Sequence, residues 1–334
     1  MSLTEAPPTN DPGPVDVSTD EGRDSVFRSV VARLSRQSVD KHFDAYTDVP
    51  WDDPDMQVRA DDPRFRLLDV DPLAQTDWYR SLPEAEQARV GLMRIATAMR
   101  IGWEFENVLQ RGLLLQAFWL TDCEPEFRYL HHEVIEESQH TMMFNEFISR
   151  SGMKVRGLPL PRKLASANVV RMARQFPGLF FLFVLGGEDP VDHVQRLHLQ
   201  VDDLHPLVRR IMRIHLTEEA RHLSFARQYV KREVPRLPRW RRTVMALYAP
   251  VLFGVMTRMM VFPSRSLLRS VGAPVDQVRR AERSEVSRQL LVDSTAKTRK
   301  LVAEAGLMTP AATVLWRRLG VAPARGPVVD RHVG

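Results

Sequence analysis

Glu136-Glu137-Ser138-Gln139-His140 and His215-Leu216-Thr217-Glu218-Glu219-Ala220-Arg221-His222 decide the fold. Both stretches carry a Glu-x-x-His pair, Glu137/His140 and Glu219/His222, set 82 residues apart. Glu106 and Glu188 precede them at the same 82-residue offset. On a helix, side chains three apart are turned by only about 60°, so each Glu-His pair projects from one face. Two repeats of Glu, Glu-x-x-His supply four carboxylates and two imidazoles. That donor set can hold two iron or manganese ions inside a helical bundle.

His215 extends the set. It lies four residues before Glu219 and seven before His222, which keeps all three side chains on one helical stripe. The matching position in the first half is Glu133. The candidate metal-ligating residues are therefore Glu106, Glu137, His140, Glu188, His215, Glu219 and His222. A lone Glu-x-x-His is common on solvated helices and says little; the repeat register is what distinguishes these. Glu104, beside Glu106, falls on Gly186 at the repeat offset, whereas Glu106 falls on Glu188. Glu136 and Glu218 correspond to each other and suit the hydrogen-bond acceptors that ligating histidines need. A solvated helix face accounts for them equally well.

Outward from the ligands, the midpoint between Glu106 and Glu137 falls at Thr121-Asp122, in a Thr121-Asp122-Cys123-Glu124-Pro125 turn that opens a helix. With both arms helical, the two carboxylates sit roughly 23 Å either side of the bend and meet at one level. The second half repeats this at Asp203-Leu204, beside His205-Pro206. Two such hairpins make a four-helix bundle. Ser81-Leu82-Pro83-Glu84 reads as a capping box opening the helix that carries Glu106. Further helices are expected at about Pro125–Arg150, Ala165–Gln175, Pro177–Asp202 and Pro206–Glu233. The apolar run Phe176–Leu185 leads into Gly186-Gly187-Glu188, and a buried carboxylate at its end must be paired or metal-bound.

Strand signals are nearly absent, so the fold class is all-α, and 334 residues at 44% hydrophobic content can bury a substantial core. Residues 1–22, rich in Pro, Thr, Asp and Gly, are expected to be a disordered tail without a targeting segment. A single helical domain then spans 23–320, its bundle core at about 83–235, with a C-terminal tail over 321–334. Asp53-Pro54, Asp62-Pro63 and Asp71-Pro72 suggest an irregular wrap before the bundle. Val244–Phe262 is strongly apolar, but Pro250 and Arg258 interrupt it, so a core helix is expected rather than stable membrane insertion.

Cys123 is the single cysteine, which excludes an intramolecular disulfide and thiolate clusters and points to the cytoplasm. Residues 231–334 carry 20 Lys and Arg against 7 Asp and Glu. No nucleic-acid recognition motif accompanies these charges, so they are expected to be a solvated face, with an acidic protein partner as the second reading.

Glu106, Glu136-Glu137-Ser138-Gln139-His140, Glu188 and His215–His222 together resemble the p-aminobenzoate N-oxygenase family of diiron enzymes over about residues 85–235. The resemblance implies a ferritin-like four-helix bundle with additional flanking helices and two bound iron ions, manganese being the alternative metal. It implies that Glu106 and His140 bind one ion and Glu188, His215 and His222 the other, with Glu137 and Glu219 bridging. It further implies dioxygen as co-substrate, a small-molecule substrate such as an aromatic amine that is oxygenated on nitrogen, and a homodimer. No Gly-rich dinucleotide loop is evident, so electrons would come from an external ferredoxin, flavin or reductase. Glu136 and Glu218 depart from the family, which often has Asp there. No catalytic residue beyond the metal centre is singled out, and Arg100, Asn107 and Gln139 stand undecided as groups that hold the substrate. A diiron hydroxylase or desaturase acting on carbon of an acyl or carrier-bound substrate is the alternative, with a non-catalytic iron-binding protein third.

Overall fold

A computed structural model describes residues 16–120 and 124–329, and none of the described residues forms a strand. Thr19 caps α1 (Asp20–Asp40) by accepting from Gly22 N, with Asp20 and Glu21 in the first turn, where the helix dipole favours acids. Residues 20–22 of the expected 1–22 tail thus belong to a helix, while residues 1–15 of it lie outside the described residues. That helix buries Phe27, Val31 and Leu34.

The wrap follows. Asp53, Asp62 and Asp71 each accept from the backbone N–H two residues on, at 2.9 Å, which sets the three Asp-Pro turns. The wrap presses directly on the bundle: a Cβ at Gly91 would lie 1.8 Å from the Phe65 carbonyl oxygen, so only glycine admits that approach. A short α2 (Asp77–Ser81) leads to the long α3 (Glu84–Phe118).

The capping box expected at Ser81 is not made. Pro83 occupies the cap with no side-chain bond, and the Ser81 hydroxyl donates to Trp78 O at 2.9 Å. Proline disfavours a helical conformation in the residue before it, so Leu82 is extended; Pro83 is extended as well, and α3 begins at Glu84.

Next come α4 (Pro125–Ser151), α5 (Leu160–Gln175), α6 (Pro177–Leu199) and α7 (Pro206–Glu233), within a few residues of expectation. The turn expected at Thr121-Asp122 and the lone Cys123 lie outside the described residues. α3 packs along α4 and α6 along α7, and the pairs meet where α3 touches α6 and α4 touches α7. The two largest apolar clusters fill the bundle. One holds Leu109, Tyr129, Phe180, Phe181 and Phe225; the other holds Leu92, Met99, Phe144, Phe147 and Ile211.

The flanking elements are α8 (Arg239–Val261), α9 (Arg265–Val271), α10 (Val275–Ala281), α11 (Glu285–Ser294), α12 (Ala296–Glu304) and α13 (Pro310–Arg318). α8, α11 and α12 lie on α6, while α1 lies on α4 and α7. Arg239–Val271 is the one stretch among the described residues long and apolar enough to cross a membrane. Met245, Ala249, Phe253 and Met256 from it are buried in the core, with Phe253 stacked on Trp316 at 5.5 Å. Nor are residues 321–328 a free tail; residues 330–334 lie outside the described residues. Val321 and Ala322 are buried, and Arg299 donates to the carbonyls of Val321 and Val328.

Candidate metal centre

Four helices deliver carboxylates and imidazoles to one level of the interior. α3 brings Glu106; α4 brings Glu133, Glu136, Glu137 and His140; α6 brings Glu188; α7 brings His215, Glu218, Glu219 and His222. All ten are at most 2% exposed. All seven sequence candidates are among them. Glu188 reaches the cluster because α6 comes very close to α3 at Gly187, where a Cβ would lie 2.2 Å from the Phe105 ring.

The two halves are cross-wired. His140 places Nδ1 3.0 Å from Glu137 Oε2 and Nε2 2.9 Å from Glu218 Oε2. His222 places Nδ1 3.0 Å from Glu219 Oε1 and Nε2 2.7 Å from Glu136 Oε2. Each imidazole therefore turns Nδ1 toward the repeat carboxylates and Nε2 toward the extra Glu of the other half. Arg221 donates to Glu136 at 2.8 Å, and Glu218 also accepts from Phe43 N at 3.1 Å. Glu136 and Glu218 are thus acceptors for the histidines rather than a solvated face, and a ligating histidine is oriented by such a bond.

Burial would raise the Glu136 carboxyl, yet the His222 bond and the Arg221 charge hold it down at about 2. Burial would lower His140, but its bonds to Glu137 and Glu218 push it up to about 10. His222 is likewise raised against burial by Glu219 and Glu137. His215 goes the other way, held well below the usual range by burial and by His140. Burial and neighbouring carboxylates push Glu106 and Glu188 well up. Burial also raises Glu133.

These carboxylates and imidazoles fit metal ions because the protein leaves them unsatisfied. Glu106 Oε2, both Glu133 oxygens, Glu137 Oε1, Glu219 Oε2 and His215 Nδ1 are buried without a hydrogen-bond partner. His222 Nδ1 is 2.9 Å from Glu137 Oε1, but off the direction a hydrogen bond needs. So many orphaned acceptors are too costly for an interior unless cations satisfy them. Ligand atoms lie within 4.8 Å of one another in four overlapping groups: Glu106, His140 and His215; Glu137, His140 and Glu219; Glu188, His215 and Glu219; and Glu133, Glu137 and His222. No group holds His215 and His222 together, so distances do not reproduce the partition the resemblance implies. His215 instead sits between the Glu106 and Glu188 sides, its ring centroid 4.6 Å from that of His140. The group missing from the sequence candidates is Glu133, and its signal was present: it is the repeat mate of His215.

A cavity of about 120 Å³ opens beside Glu106, Glu188 and His215. Ile95, Met99, Phe144, Val191, Met212 and Met260 make its walls largely apolar. Its polar lining includes Gln195, His198 and the Arg94–Asp71 pair, bonded at 3.0 Å. The side-chain oxygen of Gln195 is buried without a partner. His198 lies 3.0 Å from Val194 O through Nδ1, and burial pushes it below the usual range, so Nε2 is a free acceptor. Arg100, Asn107 and Gln139 do not line the cavity. Arg100 pairs with Glu104, Asn107 bonds Trp103 O, and Gln139 accepts from Ala45 N. Gln195 was legible as the residue two turns beyond Glu188 on the same stripe.

A buried carboxylate-imidazole cluster carried by helices, beside an apolar cavity, defines the helical metalloprotein class. The profile of P-aminobenzoate N-oxygenase AurF matches residues 24–306, and the chain belongs to that family of diiron enzymes, with its all-α, ferritin-like fold. Uncharacterized proteins of Mycobacterium tuberculosis (strain CDC 1551 / Oshkosh) and Mycobacterium bovis (strain ATCC BAA-935 / AF2122/97) are each 38% identical over 300 residues, covering 89% of this chain and 88% of theirs. No solved structure matches the chain.

Proposed function

We propose that this protein is a dioxygen-dependent diiron monooxygenase that oxygenates a small substrate seated in the cavity, foremost the nitrogen of an arylamine. The observation that carries the reading is the set of orphaned donors on Glu106, Glu137, His215 and Glu219, lying beside an apolar chamber in a chain of this family. Glu106, Glu137, His140, Glu188, His215, Glu219 and His222 would hold the ions, with Glu137 and Glu219 between the His140 and His222 nitrogens. When bound, the paired ions supply dioxygen activation, with electrons drawn from an outside ferredoxin, flavin or reductase.

The chain's own residues supply the rest. Glu136 and Glu218 fix the imidazole orientations. Phe105, Phe144, Met99 and Met260 keep bulk water from the chamber. Gln195 and the free Nε2 of His198 offer hydrogen-bond partners that suit a neutral amine. We further propose a homodimer working in the cytoplasm.

Anaerobic loading with ferrous iron, then oxygen in the presence of an arylamine, tests the reading. Mass spectrometry should show hydroxylamine and more oxidised nitrogen products. If only an acyl or carrier-bound substrate is hydroxylated or desaturated, the carbon-directed reading replaces this one. If iron binds and no substrate is oxidised, the chain is an iron-binding protein.

A further inference from the structure

Glu133 is the one member of the buried cluster to which the seven-residue set gives no task. It lies one turn before Glu137 on α4 and is 1% exposed. Neither of its carboxylate oxygens has a hydrogen-bond partner. One of its oxygens lies within 4.8 Å of ligand atoms of both Glu137 and His222. By contrast, Glu136 and Glu218, the other acids of the cluster outside the set, are engaged with His222, His140 and Arg221. A carboxylate this deep and this bare is stable only if a cation or proton accompanies it.

The repeat says which. At the 82-residue offset Glu133 corresponds to His215, whose Nδ1 is equally bare and which faces Glu106 and Glu188. We propose that Glu133 is an eighth metal ligand, acting on the ion shared with His222 and Glu137. Each half of the repeat then donates four groups: Glu106, Glu133, Glu137 and His140 from the first, and Glu188, His215, Glu219 and His222 from the second.

Glu133 can serve this way only where the paired-metal reading holds. The consequence is an asymmetric centre. Glu106, Glu188 and His215 border the cavity, while Glu133 and His222 do not. The ion on the Glu133 side is the more closed, and small molecules approach the other.

Anaerobic titration of the full chain with ferrous iron, with Mössbauer spectra of the loaded protein, tests this in the wild type, Glu133→Gln and Glu133→Asp. The wild type should bind two ions. Glu133→Gln keeps the shape and removes the charge; it should weaken one ion by at least roughly 10-fold, the lower end of what losing even an outer partner costs a metal site, and change one quadrupole doublet. Glu133→Asp, which sets the carboxylate one methylene back, should retain two ions with one doublet altered, and it serves if the Gln variant does not fold. Wild-type affinities and doublets in Glu133→Gln, or an unaltered spectrum in Glu133→Asp, overturn the assignment while leaving the two-ion centre standing. A wild type that binds fewer than two ions overturns the centre itself.

Discussion

His140 and His222 each face carboxylates through both ring nitrogens, and this governs protons in the metal-free protein. Burial opposes a charge on His140, but Glu137 and Glu218 raise it to about 10. Its folded value thus exceeds the unfolded one of about 6.5. The proton-held stability is fully present below that and is lost as pH climbs through about 10. A metal must displace these protons, so apparent affinity rises with pH between about 7 and 10. Calorimetry at pH 7 in buffers of different ionisation enthalpy should show roughly two or more protons released on metal loading; no release would refute the account. A second residue-scale outcome concerns Arg94, whose charge is met by Asp71. Wild type should therefore bind the methyl ester of 4-aminobenzoate more tightly than the free acid. Asp71→Asn frees the guanidinium and should improve acid binding roughly tenfold, about 1.4 kcal/mol, with the ester little changed. Equal affinities in the variant and the wild type would show that Arg94 does not meet the ligand.

At the scale of elements, α6 carries a pair of adjacent glycines with opposite prospects. A Cβ at Gly187 would strike the Phe105 ring at 2.2 Å, and Phe105 is itself stacked on Phe183 with centroids 5.2 Å apart. At Gly186 the nearest atoms, on Met256 and Phe253, are 3.5 Å away, an ordinary contact. Gly187→Ala should cost about 1–3 kcal/mol by overpacking and loosen metal binding through displaced Glu188. Gly186→Ala should be neutral or gain up to about 1 kcal/mol from helix propensity. Paired thermal melts would settle it, and equal midpoints would rule out the close approach of α6 to α3. The helices themselves were legible because Pro125, Pro177 and Pro206 mark their starts and the Glu and His repeat fixes their register. Less legible was anything set by contacts distant in sequence. The crosswise bonds of Glu136 to His222 and Glu218 to His140 depend on how two hairpins face each other. Glu133 was marked by the repeat as the mate of His215, but that its oxygens lack partners depends on neighbours from other helices. The burial of Val321 depends on Thr295 and Arg299, which bond its carbonyl.

At the scale of the whole molecule, α8 is apolar on two sides for two reasons. Its inner residues Met245, Ala249, Phe253 and Met256 close the core against α6 and α13. Outside, Trp240, Val244, Leu247, Tyr248, Val251 and Val255 are all exposed, from 39% at Leu247 to 63% at Trp240. Their spacing of three and four residues puts them on one face, a continuous stripe rather than scattered apolar residues. Such a stripe marks an interaction surface. A two-fold dimer uses the same patch on both copies, and α8 against α8 is a self-complementary way to cover it. The full chain should therefore run at twice its 38.4 kDa mass in light scattering at micromolar concentration. Replacing Val251 and Val255 together by Glu sets like charges across that contact. This should give a monomer with an unchanged helical spectrum and unchanged metal content, because neither side chain reaches the core. A monomeric wild type would remove the dimer. A variant that stays dimeric would move the contact to another face.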